Sequence, residues 1–188
     1  MSQFEFVMVM VSLILALALA QGLRGLSEIA TGKERYWPHT LWVGLYVFFI
    51  VQNWWAYWDF NAVEQWQFTT YIVALISPIA MFASVYLLLP TDRPAEFAWK
   101  SQFYNVRRWF FGIGILFVCN AVLSNIVYFG SPFLHPYRLL QLLIFVVFVT
   151  GFVTANERVH KILPIVIGVS VLIGQVTLRL DIGAMIDG

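Results

Sequence analysis

Six long apolar stretches, separated by short polar segments, dominate the pattern of this sequence. None of them contains Asp, Glu, Lys or Arg, and at about 1.5 Å per residue each can cross most or all of a ~30 Å hydrocarbon layer as a helix. Helices are predicted because backbone polar groups in lipid must be satisfied within their own segment. The predicted spans are residues 6–23, 38–58, 67–89, 109–129, 139–155 and 162–178. The sequence therefore predicts an all-α, polytopic integral membrane protein with six transmembrane helices in a single domain, 1–188.

Composition supports this prediction. Hydrophobic residues make up 61% of the 188-residue chain and charged residues 11%, against about 45–50% and about 25% in soluble globular proteins. A soluble domain of this size leaves much of its surface in water and cannot hide so many apolar side chains. The formal net charge of +1 excludes the strongly basic surface of a dedicated nucleic-acid binder. The predicted partner is the lipid bilayer, with no nucleic acid.

The distribution of basic residues predicts an orientation. Nine of the 11 Lys and Arg residues fall at or within the first, third and fifth connections, and the positive-inside rule places those connections in the cytoplasm. Both termini are then outside, in a multi-pass protein of the inner (plasma) membrane. A cleaved signal peptide is not predicted, because residues 1–5 carry an acid and no base. The nine residues are Arg24, Lys33, Arg35, Arg93, Lys100, Arg107, Arg108, Arg158 and Lys161.

Three finer features can be read from the sequence. The connection at residues 90–108 mixes aromatic and basic side chains, which predicts a short interfacial helix, with a solvated linker as the alternative. Pro78 lies in the middle of the third span and predicts a kink whose freed carbonyl is satisfied by a neighbouring helix. A weak echo of Gly32 and 37–39 in Gly130 and 135–137 raises the alternative of two inverted three-helix halves.

Uncharged polar residues gather in the outer half of the predicted spans. Because amide groups beneath aromatic side chains suit a neutral ligand, water or an ion, these residues predict an outward-facing polar cavity. The alternative is that they only form hydrogen bonds between helices. The candidate cavity residues are Gln52, Asn53, Asn120, Ser124, Gln141 and Gln175, and the candidate aromatic rim is Trp54, Trp55 and Trp58.

A further set of residues is a candidate gate or partner-binding face. Gln21, Arg24 and Glu28 share one face at the cytoplasmic end of the first span, and Arg24 can pair with Glu28 at i, i+4. Arg138 opens the fifth span on the outer side and is a candidate for a charge pair with Asp59, Glu64 or Asp181. Ordinary snorkelling at helix ends is the alternative for the first set.

No catalytic constellation, metal site or cofactor site is predicted. The spans contain no charged residue for an ion or proton relay, and all three lysines lie in connections. His39 and His160 fall on the cytoplasmic side and His135 on the outer side, without a metal-binding spacing. The protein is therefore not expected to be an enzyme.

The leading functional prediction is a channel or transporter-like passage, or a binding site, for a small solute or ion. The alternative is a non-transporting sensor, scaffold or accessory subunit that acts through the basic cytoplasmic connections on a partner membrane protein. Small residues at four-residue spacing, such as Gly151 and Ala155, allow close helix packing within one chain or in a homo-oligomer.

Several short motifs in this chain resemble those of a known group of proteins. They are residues 21–26 (QGLRGL), 36–39 (YWPH) with Trp42, the Trp54–Trp55 pair and residues 107–111 (RRWFF). In these the chain resembles a group of small, uncharacterised six-helix bacterial inner-membrane proteins. The resemblance spans most of the chain and implies a bacterial inner-membrane setting, but it implies no activity and no site residue.

Overall fold

The computed structural model of the protein describes residues 2–32, 34–63, 65–93, 97–132 and 137–178, without the side chains of 177 and 178. Within these ranges the chain forms six α-helices, one short 3₁₀ helix and no strand, which confirms the all-α prediction. The helices are α1 (Gln3–Thr31), α2 (Trp37–Ala56), α3 (Phe68–Leu88), α4 (Trp99–Val127), α5 (Tyr137–Val153) and α6 (Glu157–Leu178), with the 3₁₀ helix at Tyr57–Ala62.

Four of these helices are long and apolar enough to cross a membrane: α1, α3, α4 and residues Glu157–Val176 of α6. The other two fall short for different reasons. Helix α5 has 17 residues, whereas α2 has 20 but carries His39, Gln52 and Asn53, which lower its mean hydropathy. The apolar helices are thus compatible with a multi-pass membrane protein.

The predicted span limits are close for three helices and too short for the others. Helices α2, α3 and α5 begin and end within two residues of the predicted spans, whereas α1, α4 and α6 extend into the charged connections. The structure differs from the predicted interfacial helix at residues 90–108. Residues 99–108 are the first turns of α4, and Phe103 is fully buried there. The charge-free window that defines the fourth span begins after Arg108, but a helix can begin several turns before a charged residue.

The helices pack in a closed ring in the order α1, α3, α4, α5, α6, α2 and back to α1. Helix α2 also contacts α3 and α4, so it lies nearest to the centre of the bundle. The two three-helix halves are packed differently. Helix α1 packs along α3, whereas α4 and α6 meet through side chains at the basic end, where the Phe103 ring contacts His160 and Lys100 pairs with Glu157. This packing does not support the alternative of two inverted halves.

The two ends of the bundle differ in their side chains. At one end, which we call the basic end, α1, α3 and α5 finish and α2, α4 and α6 begin. Large buried aromatic side chains from α2, α4 and α5 fill the interior near this end, with the Trp42 ring 5.4–5.8 Å from those of Phe110, Phe111 and Phe148. We call this cluster the aromatic plug; its members are Trp42, Phe103, Phe110, Phe111 and Phe148. Nearer the opposite end, smaller and more polar residues face the interior of the bundle.

Candidate functional site

A cavity of about 200 Å³ lies inside the bundle between the aromatic plug and the end at which α2 and α4 finish. Residues from α2, α3, α4 and α5 line it, together with the 3₁₀ helix and Val171 of α6. We call it the amide cavity because Asn and Gln are the most frequent polar residues in its lining. The polar residues on the side away from the aromatic plug include Gln52, Asn53, Asp59, Asn120, Ser124, Asn125 and Gln141.

The structure brings five of the six candidate cavity residues to this one space. Gln52, Asn53, Asn120, Ser124 and Gln141 all line it. Gln175 of α6 does not line it, although it lies one helical turn beyond Val171, which does line it. The cavity therefore reaches Val171 but not the next turn of α6.

Several polar lining residues were not among the candidate cavity residues, and Asn125 and Asp59 are two of them. Asn125 follows Ser124 directly and is buried, and Asp59 is buried in the 3₁₀ helix that continues α2. Depth alone could have included Asn125. The burial of Asp59 depends on the 3₁₀ turn, which no periodicity in the sequence indicates.

The candidate aromatic rim does not line the cavity. Trp54, Trp55 and Trp58 are each about half exposed on the outside of the bundle. The Trp54 indole nitrogen donates to the Ser12 hydroxyl of α1 at 3.2 Å, and Trp58 packs edge-on against Phe4. Helical periodicity explains the correction, because the inward face of α2 carries Tyr46, Phe49 and Asn53 and leaves the tryptophans outside. The aromatic residues that line the cavity toward the end at which α2 and α4 finish are Tyr57, Phe60, Phe129 and Tyr137.

Asn120 is the most firmly held polar residue in the cavity wall. Its Nδ2 donates to the Ser77 hydroxyl at 2.9 Å and to the Val73 carbonyl at 3.2 Å, both in α3. Because a carbonyl oxygen can only accept, these bonds fix which end of the amide is nitrogen. The Asn120 Oδ1 and the Ser124 Oγ are buried and have no hydrogen-bond partner among the described residues. Unpaired buried polar atoms cost free energy, so this wall favours a bound hydrogen-bonding group.

Pro78 connects the cavity wall to the 3₁₀ helix. Proline has no amide hydrogen, so the carbonyl of Ala74 loses the donor that a continuous α-helix would supply. The hydroxyl of buried Tyr57 donates to that carbonyl instead. The sequence-based expectation that a neighbouring element satisfies this carbonyl is confirmed, and the bond ties the 3₁₀ helix to α3 one turn before Pro78.

We expect Tyr57→Phe to lower the free energy of unfolding by about 1.5 kcal/mol, because it leaves the Ala74 carbonyl unpaired. In a Pro78→Ala background the residue at 78 has an amide hydrogen for that carbonyl, so the same change should cost about 1 kcal/mol less. Unfolding by SDS in detergent micelles measures both values. Tyr71→Phe is the control, since no hydrogen bond of the Tyr71 hydroxyl is seen in the described part of the chain. Equal costs in the two backgrounds would disprove the link to Pro78.

Arg138, the candidate outer gate, contacts the cavity wall through an amide. Its Nη1 donates to Oε1 of Gln141 at 2.7 Å, and this is the partner that the structure shows in place of a carboxylate. The Arg138 Nε and Nη2 are buried without a hydrogen-bond partner among the described residues. Of the predicted acidic partners, Glu64 and Asp181 lie outside the described residues, and Asp59 lines the cavity.

The structure gives different contacts to the residues of the candidate gate or partner-binding face, Gln21, Arg24 and Glu28. Gln21 is buried and its Nε2 donates to the Leu89 carbonyl at 2.6 Å. Arg24 pairs with Glu28 at 3.5 Å, as its spacing predicts, and Glu28 also pairs with Arg93 at 2.5 Å. Gln21 therefore holds the end of α3, whereas Arg24 and Glu28 form a partly exposed ion-pair cluster.

The two buried histidines also hold helix ends. His39 Nε2 lies 2.9 Å from the Leu88 carbonyl at the end of α3, and His160 Nε2 lies 2.8 Å from the Thr154 carbonyl after α5. The ring of Phe103 contacts both imidazoles. Within the described residues no group of three or more His, Cys, Asp or Glu is placed to hold a metal ion.

Comparison of the chain with models of known protein families, with curated proteins and with solved structures finds no match. Membership of the bacterial inner-membrane group that the sequence motifs resemble therefore stays a prediction. The function is inferred from the geometry of the amide cavity.

Proposed function

We propose that this chain is a multi-pass membrane protein with six transmembrane helices, both termini outside, that binds a small neutral solute in the amide cavity. Six spans are supported by the packing, because α2 and α5 lie side by side with the four strongly apolar helices. Short connections support it too, since only residues 32–36 separate α1 from α2 and only 154–156 separate α5 from α6. A helix that packs along spanning helices and is joined to them by such short connections crosses the same layer as they do.

The amide cavity is the observation that carries the proposal. An apolar protein cavity of roughly 150 Å³ holds benzene, so about 200 Å³ accommodates a slightly larger molecule. Aliphatic and aromatic side chains form most of the wall, and polar groups from α2, α4 and α5 converge near one end. Apolar walls with a few placed polar groups are typical of small-molecule sites.

Charge around the cavity favours a neutral ligand. Asp59 is the one charged residue in the described lining, and the guanidinium of Arg138 is bound to the lining residue Gln141. These two side chains carry opposite charges, so the residues in and next to the lining carry no excess charge of either sign. An ionic ligand would add an uncompensated charge in a medium of low dielectric constant, which is costly.

The aromatic plug determines whether a solute bound in the cavity can continue through the bundle. Phe103, Phe110 and Phe111 are fully buried between the cavity and the basic end, so a solute that enters the cavity can continue only if the plug rearranges. This favours a gated passage, in the channel or transporter class. It equally favours the second candidate, a sensor or accessory module in which the ligand moves the plug and nothing crosses.

Filling the cavity tests the proposal. We expect native mass spectrometry of the purified protein to release a small neutral molecule from the wild type and none from Ala121→Phe, whose new ring occupies the cavity. Ala121 lines the cavity beside Asn120, whereas Ala16 is exposed on the outside of α1, so Ala16→Phe is the matched control. The same small molecule released equally from all three proteins, or from none, contradicts the proposal. Flux of the released molecule through proteoliposomes then separates passage from sensing.

A further inference from the structure

The structure assigns a chemical class to this ligand: we infer that it is a neutral alcohol, whose hydroxyl group lies between Asn120 and Ser124 and whose apolar body lies against the aromatic plug. The hydroxyl donates a hydrogen bond to the Asn120 Oδ1 and accepts one from the Ser124 Oγ. This inference rests on the proposed function and narrows it.

The acceptor at Asn120 is fixed by its surroundings. Asn120 is only 6% exposed, and its Nδ2 is held by the Ser77 hydroxyl and the Val73 carbonyl. Its Oδ1 is therefore the end that lacks a partner, and only a donor can satisfy it. Asn53 Oδ1 is also buried without a partner among the described residues, but no described hydrogen bond fixes the orientation of that amide, so Asn53 does not specify whether its ligand donates or accepts.

Ser124 supplies the complementary group one helical turn away. Residues at i and i+4 share a helix face with their Cβ atoms about 5–6 Å apart, and a hydroxyl oxygen making two hydrogen bonds of about 2.8 Å fits between two such side chains. Ser124 is 5% exposed, and its Oγ has no acceptor or donor among the described residues, not even the carbonyl of the preceding turn. Its hydroxyl is therefore available to donate.

A hydroxyl is the simplest group that satisfies both atoms. It donates once and also accepts, whereas a ketone or an ether only accepts and leaves the Asn120 Oδ1 unpaired. An ammonium group donates but cannot accept from Ser124, and it also brings an uncompensated charge. Phe117, Val118 and Phe148 line the same cavity on the side of the plug, where they can contact a hydrocarbon body.

Cyclohexanol and cyclohexanone test the inference, because they share one carbon ring and differ in the ability to donate. Binding is read from the rise of the thermal unfolding midpoint with ligand concentration. The difference between wild type and Ala121→Phe removes the effect of partition into the detergent. We expect cyclohexanol to bind wild type about tenfold more tightly than cyclohexanone, the usual effect of leaving one buried acceptor unpaired.

Two variants locate the hydroxyl. Ser124→Ala breaks no hydrogen bond of the protein and should weaken cyclohexanol binding about fivefold. Asn120→Leu should abolish the preference for the alcohol; if that variant does not fold, Ser124→Ala still gives the answer. Equal or tighter binding of the ketone to wild type, or no effect of Ser124→Ala, overturns the alcohol inference and leaves the proposed function standing. If neither compound stabilises wild type more than Ala121→Phe, the alcohol inference fails, and the native mass spectra of wild type and Ala121→Phe decide the proposed function separately.

Discussion

Replacement of Arg107 by alanine is expected to lower the free energy of unfolding by about 3 kcal/mol, one of the largest effects of any single substitution in this chain. Arg107 is 7% exposed although it lies next to exposed Arg108. Its Nη1 lies within hydrogen-bond distance of the carbonyl oxygens of Gly151, Phe152 and Thr154, at 2.7, 2.8 and 2.5 Å. Those carbonyls end α5 and have no partner within their own helix, and a cation there also interacts favourably with the helix dipole.

The matched control for this prediction is Arg108→Ala, which removes the same charge from the neighbouring exposed position. We expect it to change the free energy of unfolding by less than about 0.5 kcal/mol. Arg107→Lys should fall between the two, because an ammonium can bind these carbonyls but lacks the planar fork of arginine. SDS titration of the three variants measures the differences. Equal stability of Arg107→Ala and Arg108→Ala would show that Arg107 is only a membrane-surface charge.

The second large effect is expected at the contact between α4 and α5. Gly151 packs directly against the ring of Phe111, and a Cβ added at Gly151 would overlap that ring. Phe111 is fully buried in the aromatic plug and cannot move aside without displacing its neighbours. We therefore expect Gly151→Ala to lower the free energy of unfolding by about 2 kcal/mol through overpacking, despite the higher helix propensity of alanine.

Gly44→Ala is the control for the glycine prediction. Gly44 is also inside a helix, but a Cβ there meets no atom within 4 Å, so this substitution should be neutral or slightly stabilising. The same SDS titration compares the two variants. If Gly151→Ala is as stable as Gly44→Ala, then α4 and α5 are not packed as closely as described and the plug does not depend on Gly151.

Arg107 shows which features the sequence predicts and which it does not. The helix positions were predicted, and the buried contacts of Arg107 were not. Charge-free windows correctly located the middle of every helix, but they stopped at Arg108 and assigned both arginines to a connection. Trp99, Phe103, Arg107, Phe110 and Gly114 follow one another at three- and four-residue spacing, the pattern of a buried helix face. That pattern was the available signal for a buried arginine. Its acceptors on α5, however, depend on tertiary packing that no local pattern contains.

The residues of the amide cavity were likewise predicted only in part. Polar residues at a common depth identified Gln52, Asn53, Asn120, Ser124 and Gln141, which the structure brings together. Depth does not specify which side of a helix faces inward. For this reason the three tryptophans were placed at the cavity although they do not line it, and Gln175 lies one turn beyond Val171, where the lining of α6 ends. Face assignment needs the helix neighbours, and the neighbours of α2 and α6 follow from the ring packing rather than from the order of the spans.

Photolabelling tests the central claim, ligand binding in the amide cavity, most directly. A diazirine derivative of hexanol is irradiated with the purified protein, and the labelled residues are identified by mass spectrometry of peptides, with and without excess cyclohexanol. The account predicts labels on cavity-lining residues such as Tyr57, Phe117 and Tyr137 that excess cyclohexanol suppresses. Labels confined to residues on the outside of the bundle, such as Trp54 and Leu116, and unchanged by cyclohexanol would contradict it.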